Sequence, residues 1–523
     1  MPVLSKTNRD QIQFLSWETF IAVDHPVRVI DAFVDYFDLS ALGFEHKGKS
    51  HEGRPAFGCD VLLKLYIYGY LNRIRSSRQL AKACGCNVEL FWLLHQAHPC
   101  YKTIADFRKD NTKALRDMFR QFNAFLKGEG LLQSDTVAID SVKIGAQNSK
   151  KNNYNEKKVK QHLTYLDQQV DQYLRELTQL DQEEQTEEEQ ILEVAQKLDQ
   201  LIERKKKYEG LKEDLKEARS KGETQVSTSD PDARALPKKM NIVEVAYNIQ
   251  TSVEADDKLI TNFEVTNKND TNALSSAAIE AKRVLGKDKL KALADKGYDT
   301  GIEHQICDEN GIETYVAPRQ KNTSKKHPDY VKEKFVYDPD LDSYQCPAGQ
   351  ELKTNGNQYK KNSTDYRKVY RVKVYKLPFE ICNSCSHKLD CAGAANLKNS
   401  KGRPIERSEY EDVLEANRER VRLNKEFYRK RQQIVEHPFG TIKRQWGYHY
   451  TLMKTKKKVE AEMSLIFTCY NLRRSMSIFG VKDLIKRLKS AFLEMVGFTA
   501  LVKPDSSLFS VSLCSSSQQI NVS

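Results

Sequence analysis

From residue 135 onward the apolar residues change period, and the order of those changes leaves few folds open. DTVAIDSVKI (135–144) reads as a strand, with Val137, Ile139 and Val142 around a single carboxylate. IVEVAYNIQTSV (242–253) and KLITNFEVT (258–266) read as two more strands joined by a turn at Asp256 and Asp257. A helix over 271–285, a short strand ending at Asp295, a turn at Lys296, Gly297 and Tyr298, a helix over 300–310 and a strand at 313–317 complete the series. Strand, long insertion, two strands, helix, strand, helix, strand is a mixed α/β order. Asp140 is the costly residue within it, because a carboxylate in an apolar strand must be paired or hold a metal to be buried.

The flanking segments carry other periods. Residues 1–130 are mostly helical, with three-and-four spacing in DVLLKLYIYGYLNRIRSSRQLAKAC and IADFRKDNTKALRDMFRQFNAFLKGEG, the last helix closed by Gly128 and Gly130. Between those helices Arg73, Arg75 and Arg78 stand with Ser76 and Ser77, either a phosphate-meeting cluster or a solvated helix end. The long insertion has a heptad seam at Val159, Leu163, Leu166, Val170, Tyr173, Leu177 and Leu180, and a second at Ile191, Val194, Leu198 and Leu201. Thr186 and Glu189 form a capping pair for the second helix. Residues 156–220 are therefore expected to form an antiparallel helical hairpin, the alternative being an intermolecular coil.

Residues 319–404 are polar, loop-rich and too poor in apolar residues for a core of their own. A helical stretch is expected at 406–433 and another at 460–478, with 479–523 as a C-terminal tail whose serine-rich end, 502–523, has no periodic signal.

Charge narrows the class of partner. Lys and Arg number 84 against 72 Asp and Glu, a formal +12 that favours a polyanion. The hairpin contributes −5, whereas 421–458 contributes +9, with eleven cations and Trp446, Tyr448, His449 and Tyr450 among them. Basic residues track a phosphate backbone and aromatic rings stack on unpaired bases. No run nears the roughly 18 apolar residues of a membrane span, and the N-terminus lacks the apolar stretch of a secretory signal. A cytoplasmic protein with reduced thiols is the expectation.

Eleven cysteines include the set Cys346, Cys382, Cys385 and Cys391, spaced C-x35-C-x2-C-x5-C, with His387 as a substitute ligand. CPAG and CNSC make tight turns that suit a structural Zn²⁺. Cys59, Cys84, Cys86 and Cys100 lie beside apolar residues and are expected to pack in a core. Asp140, Asp295 and Glu436 offer hard oxygen ligands of the kind a pair of Mg²⁺ ions needs, Mn²⁺ being an alternative.

VAIDSVKI, DPDAR (230–234), AYNIQTSVEADDKLI, ADKGYD and VEHPFGTIKR stand in the order seen in DDE-type transposases of bacterial insertion sequences, and residues 10–475 resemble that family. GRPAFGCDVLLKLYIYGYLNRIRSSRQLAKAC with TIADFR resembles the DNA-binding domain preceding the catalytic domain in one branch, where similar cysteines also occur. The resemblance implies an RNase H-like catalytic domain at 131–478, interrupted by the hairpin at 156–220 and a cysteine-rich zinc module at 335–395. It assigns the two aspartates to Asp140 and Asp295 and the glutamate to Glu436. Relatives carry a tyrosine seven and an arginine four residues before the glutamate; here Tyr428 and Arg431 each stand one residue early, while Lys443 fits its place. Pro438 predicts a kink or a fresh helix start at Glu436.

The implied activity is Mg²⁺-dependent cleavage at the terminal inverted repeats of an insertion sequence, followed by strand transfer into target DNA. Arg73, Arg75, Arg78, Arg431, Lys443, Arg444 and Trp446 are the expected DNA contacts. The partners are double-stranded DNA and a second copy of the chain, in a homodimer or larger synaptic complex at the bacterial nucleoid, with no membrane. An RNase H-like nuclease without strand transfer, or a zinc-bearing DNA-binding protein with a vestigial site, are the rival readings.

Overall fold

The computed structural model describes residues 16–45, 56–180, 188–220, 222–237, 243–319, 328–362, 369–393, 398 and 402–501. The chain divides into two units, Met1–Phe107 with Arg473–Ser523, and Arg108–Leu472. Residues 108–130 thus group with the second unit, and the segment after 473 with the first, which differs from the boundaries expected at 130 and 478.

The first unit is helical: α1 (Pro26–Asp35), α2 (Cys59–Leu71), α3 (Ser77–Ala83), α4 (Val88–Leu93) and the start of α5 (Tyr101–Asp110). Helix α2 is buried around most of its circumference, with Leu63, Leu65, Tyr66 and Ile67 fully enclosed. Lys64 lies in the same helix and is tolerated there because Asp31 and Asp35 of α1 meet its ammonium at 2.6 and 2.8 Å. The expected tail is helical over Val481–Leu501 and packs on α1 through this unit; 502–523 fall outside the described residues. Cys59 and Cys84 are buried as expected, but Cys86 and Cys100 are exposed. Cys86 lies in the turn after α3 and Cys100 just ahead of α5, so neither stands on a helix's apolar face.

The second unit opens with α6 (Thr112–Gly128), whose Asn123 donates to the carbonyls of Ile260 and Thr261 at 3.0 and 2.8 Å. Next come β1 (Thr136–Gly145), the short β2 (Asn153–Asn155), and helices α7 (Glu156–Leu180) and α8 (Glu188–Ser220). The two helices form the antiparallel hairpin: Val159, Leu166, Val194 and Leu211 are buried, and ion pairs Asp167–Lys205 (2.7 Å) and Glu156–Arg219 (3.3 Å) fix the direction. The cap expected at Thr186 lies outside the described residues. Strand β3 (Gln225–Ser227) pairs with β2 at the hairpin's base.

The main sheet is built from β1, β4 (Arg234–Pro237), β5 (Val243–Glu254), β6 (Ile260–Thr266), β7 (Leu290–Ala294) and β8 (Ile312–Val316), separated by α9 (Leu274–Leu285) and α10 (Gly301–Glu309). Its order is β4-β5-β1-β7-β8, with β6 pairing β5 beyond β4. The pairs β1–β5 and β5–β6 are antiparallel, whereas β1–β7 and β7–β8 are parallel. Asp140 faces Thr251 across the ladder, and Ile139 beside it pairs with Ala294, the residue before Asp295. Register alone therefore sets Asp140, mid-strand on β1, beside the C-terminal end of β7, where Asp295 follows.

Residues 336–408 correct the expected loop-rich segment. Strands β9 (Val336–Asp338), β10 (Ser343–Gln345), β11 (Glu351–Asn362) and β12 (Val369–Lys376), followed by short helices α11 (Phe379–Ser384) and α12 (Lys388–Cys391) and strand β13 (Ile405–Ser408), form a second sheet. Its core is Phe335, Tyr344, Leu352, Tyr375 and Ile405. Aromatic area replaces aliphatic number here, and Arg407 lies 3.8 Å over the Tyr337 ring while donating to Glu415 and the Tyr344 hydroxyl. The expected continuous helix at 406–433 is instead β13, α13 (Glu411–Leu423) and α14 (Lys425–Phe439), broken at Asn424, whose side chain returns to the carbonyl of Arg420. Helix α14 runs through Glu436 and Pro438 without the expected restart; the irregularity follows as a π-helical turn, Gly440–Gln445. Helix α15 (Lys456–Phe479) begins in this unit, which ends within it at Leu472.

Candidate active site

Asp140 sits mid-strand on β1, one oxygen accepting the Ser141 amide at 2.8 Å and the other facing the Arg431 guanidinium at 3.3 Å. Burial pushes its carboxyl up to about 6; the Ser141 amide and Arg431 oppose the shift, while Asp295 and Asp270 add to it. Asp295 caps the turn after β7, accepting the Gly297 amide at 2.6 Å. Asp270, absent from the sequence-based set, lies in the turn after β6, where Asn248 and Gln250 donate to one of its oxygens at 2.7 and 2.8 Å.

Gly297 explains part of this arrangement. A Cβ there would lie 2.8 Å from Asp295 Oδ1 and 3.5 Å from Asp270 Oδ2, so the two carboxylates border one space that only glycine leaves clear. Tyr298 is buried beneath, its hydroxyl bonded to Gln250 and its ionisation pushed up by burial and then by Asp270, Asp140 and Asp295. The motif ADKGYD thus places a carboxylate, a clearance and a neutral hydroxyl within four residues, at Asp295, Gly297 and Tyr298.

Helix α14 packs across β1, β5 and β7. Tyr428 reaches the carbonyl of Ala294 at 3.3 Å, and Arg431 reaches Asp140. Standing one residue early has not kept Arg431 from Asp140, while Tyr428 meets the residue before Asp295. Glu436 is exposed and accepts from Gln432 at 2.8 Å. Five residues beyond Arg431 it lies ~7.5 Å further along the axis and on another face of the helix. Lys443 donates to the carbonyl of Lys143 on β1 at 3.2 Å, and Arg444 is exposed.

Two expected DNA contacts are buried, Trp446 and Arg75. Trp446 is buried, 7% exposed, and packs against Tyr448, so it is a core residue where a base-stacking platform was expected. Its loop turns back on β1, with Thr451 donating to the Gly145 carbonyl at 2.8 Å, and this encloses the indole. Arg75 is likewise buried, while Arg73 is exposed and Arg78 lies 5.2 Å over the Tyr101 ring. Asp270 could have been found from Asn248 and Gln250, two amide side chains at strand period that are buried in β5 and need partners.

Cys346, Cys382, Cys385, Cys391 and His387 line one cavity of about 40 Å³ in the smaller sheet module. The Gln350 amide donates to Cys346 Sγ at 3.3 Å, and burial, with the other three thiols, pushes Cys391 up, against Arg403. Among the described residues no three His, Cys, Asp or Glu side chains are arranged as a formed metal site, at the thiols or at the aspartates.

Two family models match the chain. A transposase domain (DUF772) covers residues 15–110, and a transposase DDE domain covers 345–476, which includes Glu436 and Lys443. No curated protein matches. A solved structure, described as a piggyBac transposase synaptic complex with hairpin DNA, aligns over 93% of this chain and 84% of that one at 9% identity and a TM-score of 0.33, a likeness too distant to bear on the fold. Both matched stretches are thus similar to transposase domains, the second of DDE type. No helix among the described residues is long and apolar enough to cross a membrane.

Proposed function

We propose that this chain cuts and joins DNA at the terminal inverted repeats of a bacterial insertion sequence, with Asp140 and Asp295 at the reacting centre. The observation that carries this is their register: parallel pairing of β1 with β7 puts one carboxylate beside the end of the other's strand, with Arg431 against Asp140. The sheet order β6-β5-β1-β7-β8, with its change from antiparallel to parallel at β1, supports an RNase H-like reading of this domain.

Asp140, Asp295 and Asp270 suit Mg²⁺ or Mn²⁺ in the chemistry of their oxygens, while Glu436, exposed on another face of α14, would join them only if that helix moved. Bound divalent ions would supply Lewis acidity at the attacking and leaving oxygens. The chain's own residues do the rest. Burial of Asp140 makes its charged form costly, so the site favours a cation. Arg431 orients that carboxylate, and Lys443 and Arg444 continue α14 toward phosphate. Strand transfer forms a bond from a 3′-hydroxyl to a target phosphorus and breaks that phosphorus's bond to its own 3′ oxygen, in line. The four thiols suit a structural Zn²⁺, which Cys382→Ser would lose; equal zinc content in that variant and wild type would reject it.

Arg73 and Arg78 of the helical unit are proposed to meet the repeat sequence, and a second copy of the chain to complete a synaptic pair. The test is a plasmid bearing the repeats, incubated with purified protein and Mg²⁺: excision with joined product is expected. Excision without joining would favour a nuclease of the same fold, and binding alone a vestigial site.

A further inference from the structure

Strands β11 and β12 extend past their neighbours in the smaller sheet. β10 covers β11 only at Glu351–Lys353, and β13 covers β12 at Val372–Tyr375 with Glu409 bonded to the Arg371 backbone beyond it, so the Lys361–Asn362 and Val369–Tyr370 ends pair solely with each other. The two strands carry six cations, Lys353, Lys360, Lys361, Arg371, Lys373 and Lys376, against Glu351 alone. Asp342 and Glu406 engage Lys373 and Lys361.

The register is the informative part. Lys353 stands directly opposite Lys376, and Lys360 directly opposite Arg371. Like charges facing each other across an antiparallel ladder weaken it. Lysines on edge strands do discourage pairing between chains, but that purpose does not require cations opposite one another within one ribbon. Lys360 and Lys376 form no ion pair among the described residues, and both are exposed. A ribbon of two strands spaced ~4.8 Å apart is also narrow enough for the major groove of B-DNA, which is ~12 Å wide.

We propose that the β11–β12 ribbon docks on duplex DNA, with Lys353, Lys360, Arg371 and Lys376 contacting phosphates irrespective of sequence. The proposal rests on the reading of this chain as a DNA-handling enzyme and adds to it a surface, separate from the Asp140 centre, that holds the duplex. Its test is affinity for a duplex of arbitrary sequence, measured across a salt series with the full chain. Lys360→Ser with Arg371→Ser should weaken binding roughly tenfold and make the salt dependence shallower by about two phosphate contacts. Lys360→Glu places opposite charges across the ladder, so it should melt no lower than wild type while binding more weakly, a pair of effects that a purely structural role would not separate. Unchanged affinity and slope in these variants, with wild type binding normally, would overturn the ribbon alone. Wild-type protein with no affinity for duplex DNA would overturn both the ribbon and the reading beneath it.

Discussion

Arg431 on α14 meets Asp140 on the central strand β1 at 3.3 Å. This contact ties the helix that bears Glu436 to the strand that bears the first aspartate, and both partners are largely shielded, with side chains 19% and 26% exposed. A shielded charge-assisted bond contributes about 1.5–3 kcal/mol. Arg431→Ala should therefore slow DNA-end cleavage about 10- to 100-fold in single turnover, with Arg431→Lys recovering part of it. Equal rates in all three proteins would remove Arg431 from the site.

Asp140 makes stability depend on pH. Its folded carboxyl titrates at about 6, above its ordinary value. The folded state then binds the proton more tightly than the unfolded chain, so a cost is present above about pH 6 and is relieved as pH falls through it. In metal-free buffer, Asp140→Asn should be more stable than wild type by about 1–2 kcal/mol at pH 7.5, a figure reduced for the solvent the side chain still meets. The difference should close toward pH 4. Denaturant melts at the two pH values check this, and an Asn variant less stable at pH 7.5 would contradict it.

Asp270 borders the same space as Asp295 and is held by Asn248 and Gln250. Asp270→Asn keeps the shape and removes the charge. The Mg²⁺ concentration for half-maximal cleavage should rise about tenfold, near 1.4 kcal/mol of lost attraction. An unchanged Mg²⁺ titration would confine Asp270 to a structural role.

The DPDAR segment acts as a clasp. Asp230 is fully buried and accepts from the Tyr247 hydroxyl at 2.8 Å and the Thr455 amide at 3.0 Å, while Asp232 accepts the Lys456 amide at 2.7 Å. These carboxylates stand at the N-terminus of α15, where Lys456, Lys457 and Lys458 oppose the helix dipole. Asp230→Ala strands a buried hydroxyl and an amide and should lower unfolding free energy by about 2–4 kcal/mol, whereas Asp232→Ala should lower it by about 1. Urea melts giving less than about 0.5 kcal/mol for Asp230→Ala would show that the clasp does not bear on the fold.

What could be read ahead of the structure followed from local cost. Asp140 and Asp295 stand out because a carboxylate among Val, Ile and Ala residues must be explained, and the hairpin because Val159 through Leu166 keeps one face for seven residues. What escaped depends on contacts distant in sequence. Asp270 matters because β5 delivers Asn248 and Gln250 to it, twenty or so residues away. The smaller sheet closes over Tyr344, Tyr375 and Arg407, a few large groups that an apolar count misses. Trp446 looked available because cations surround it in sequence, yet its burial is decided by a loop that folds back to Gly145.

Single-turnover cleavage of a DNA end carrying the repeat, with Mg²⁺, by wild type, Asp140→Asn and Asp295→Asn decides whether the two aspartates form the reacting centre. Wild type should cut, and each variant should fall by about 10²- to 10³-fold, the scale on which removing electrostatic stabilisation of a transition state acts, while still binding the DNA. Cleavage by either variant at the wild-type rate would contradict that role.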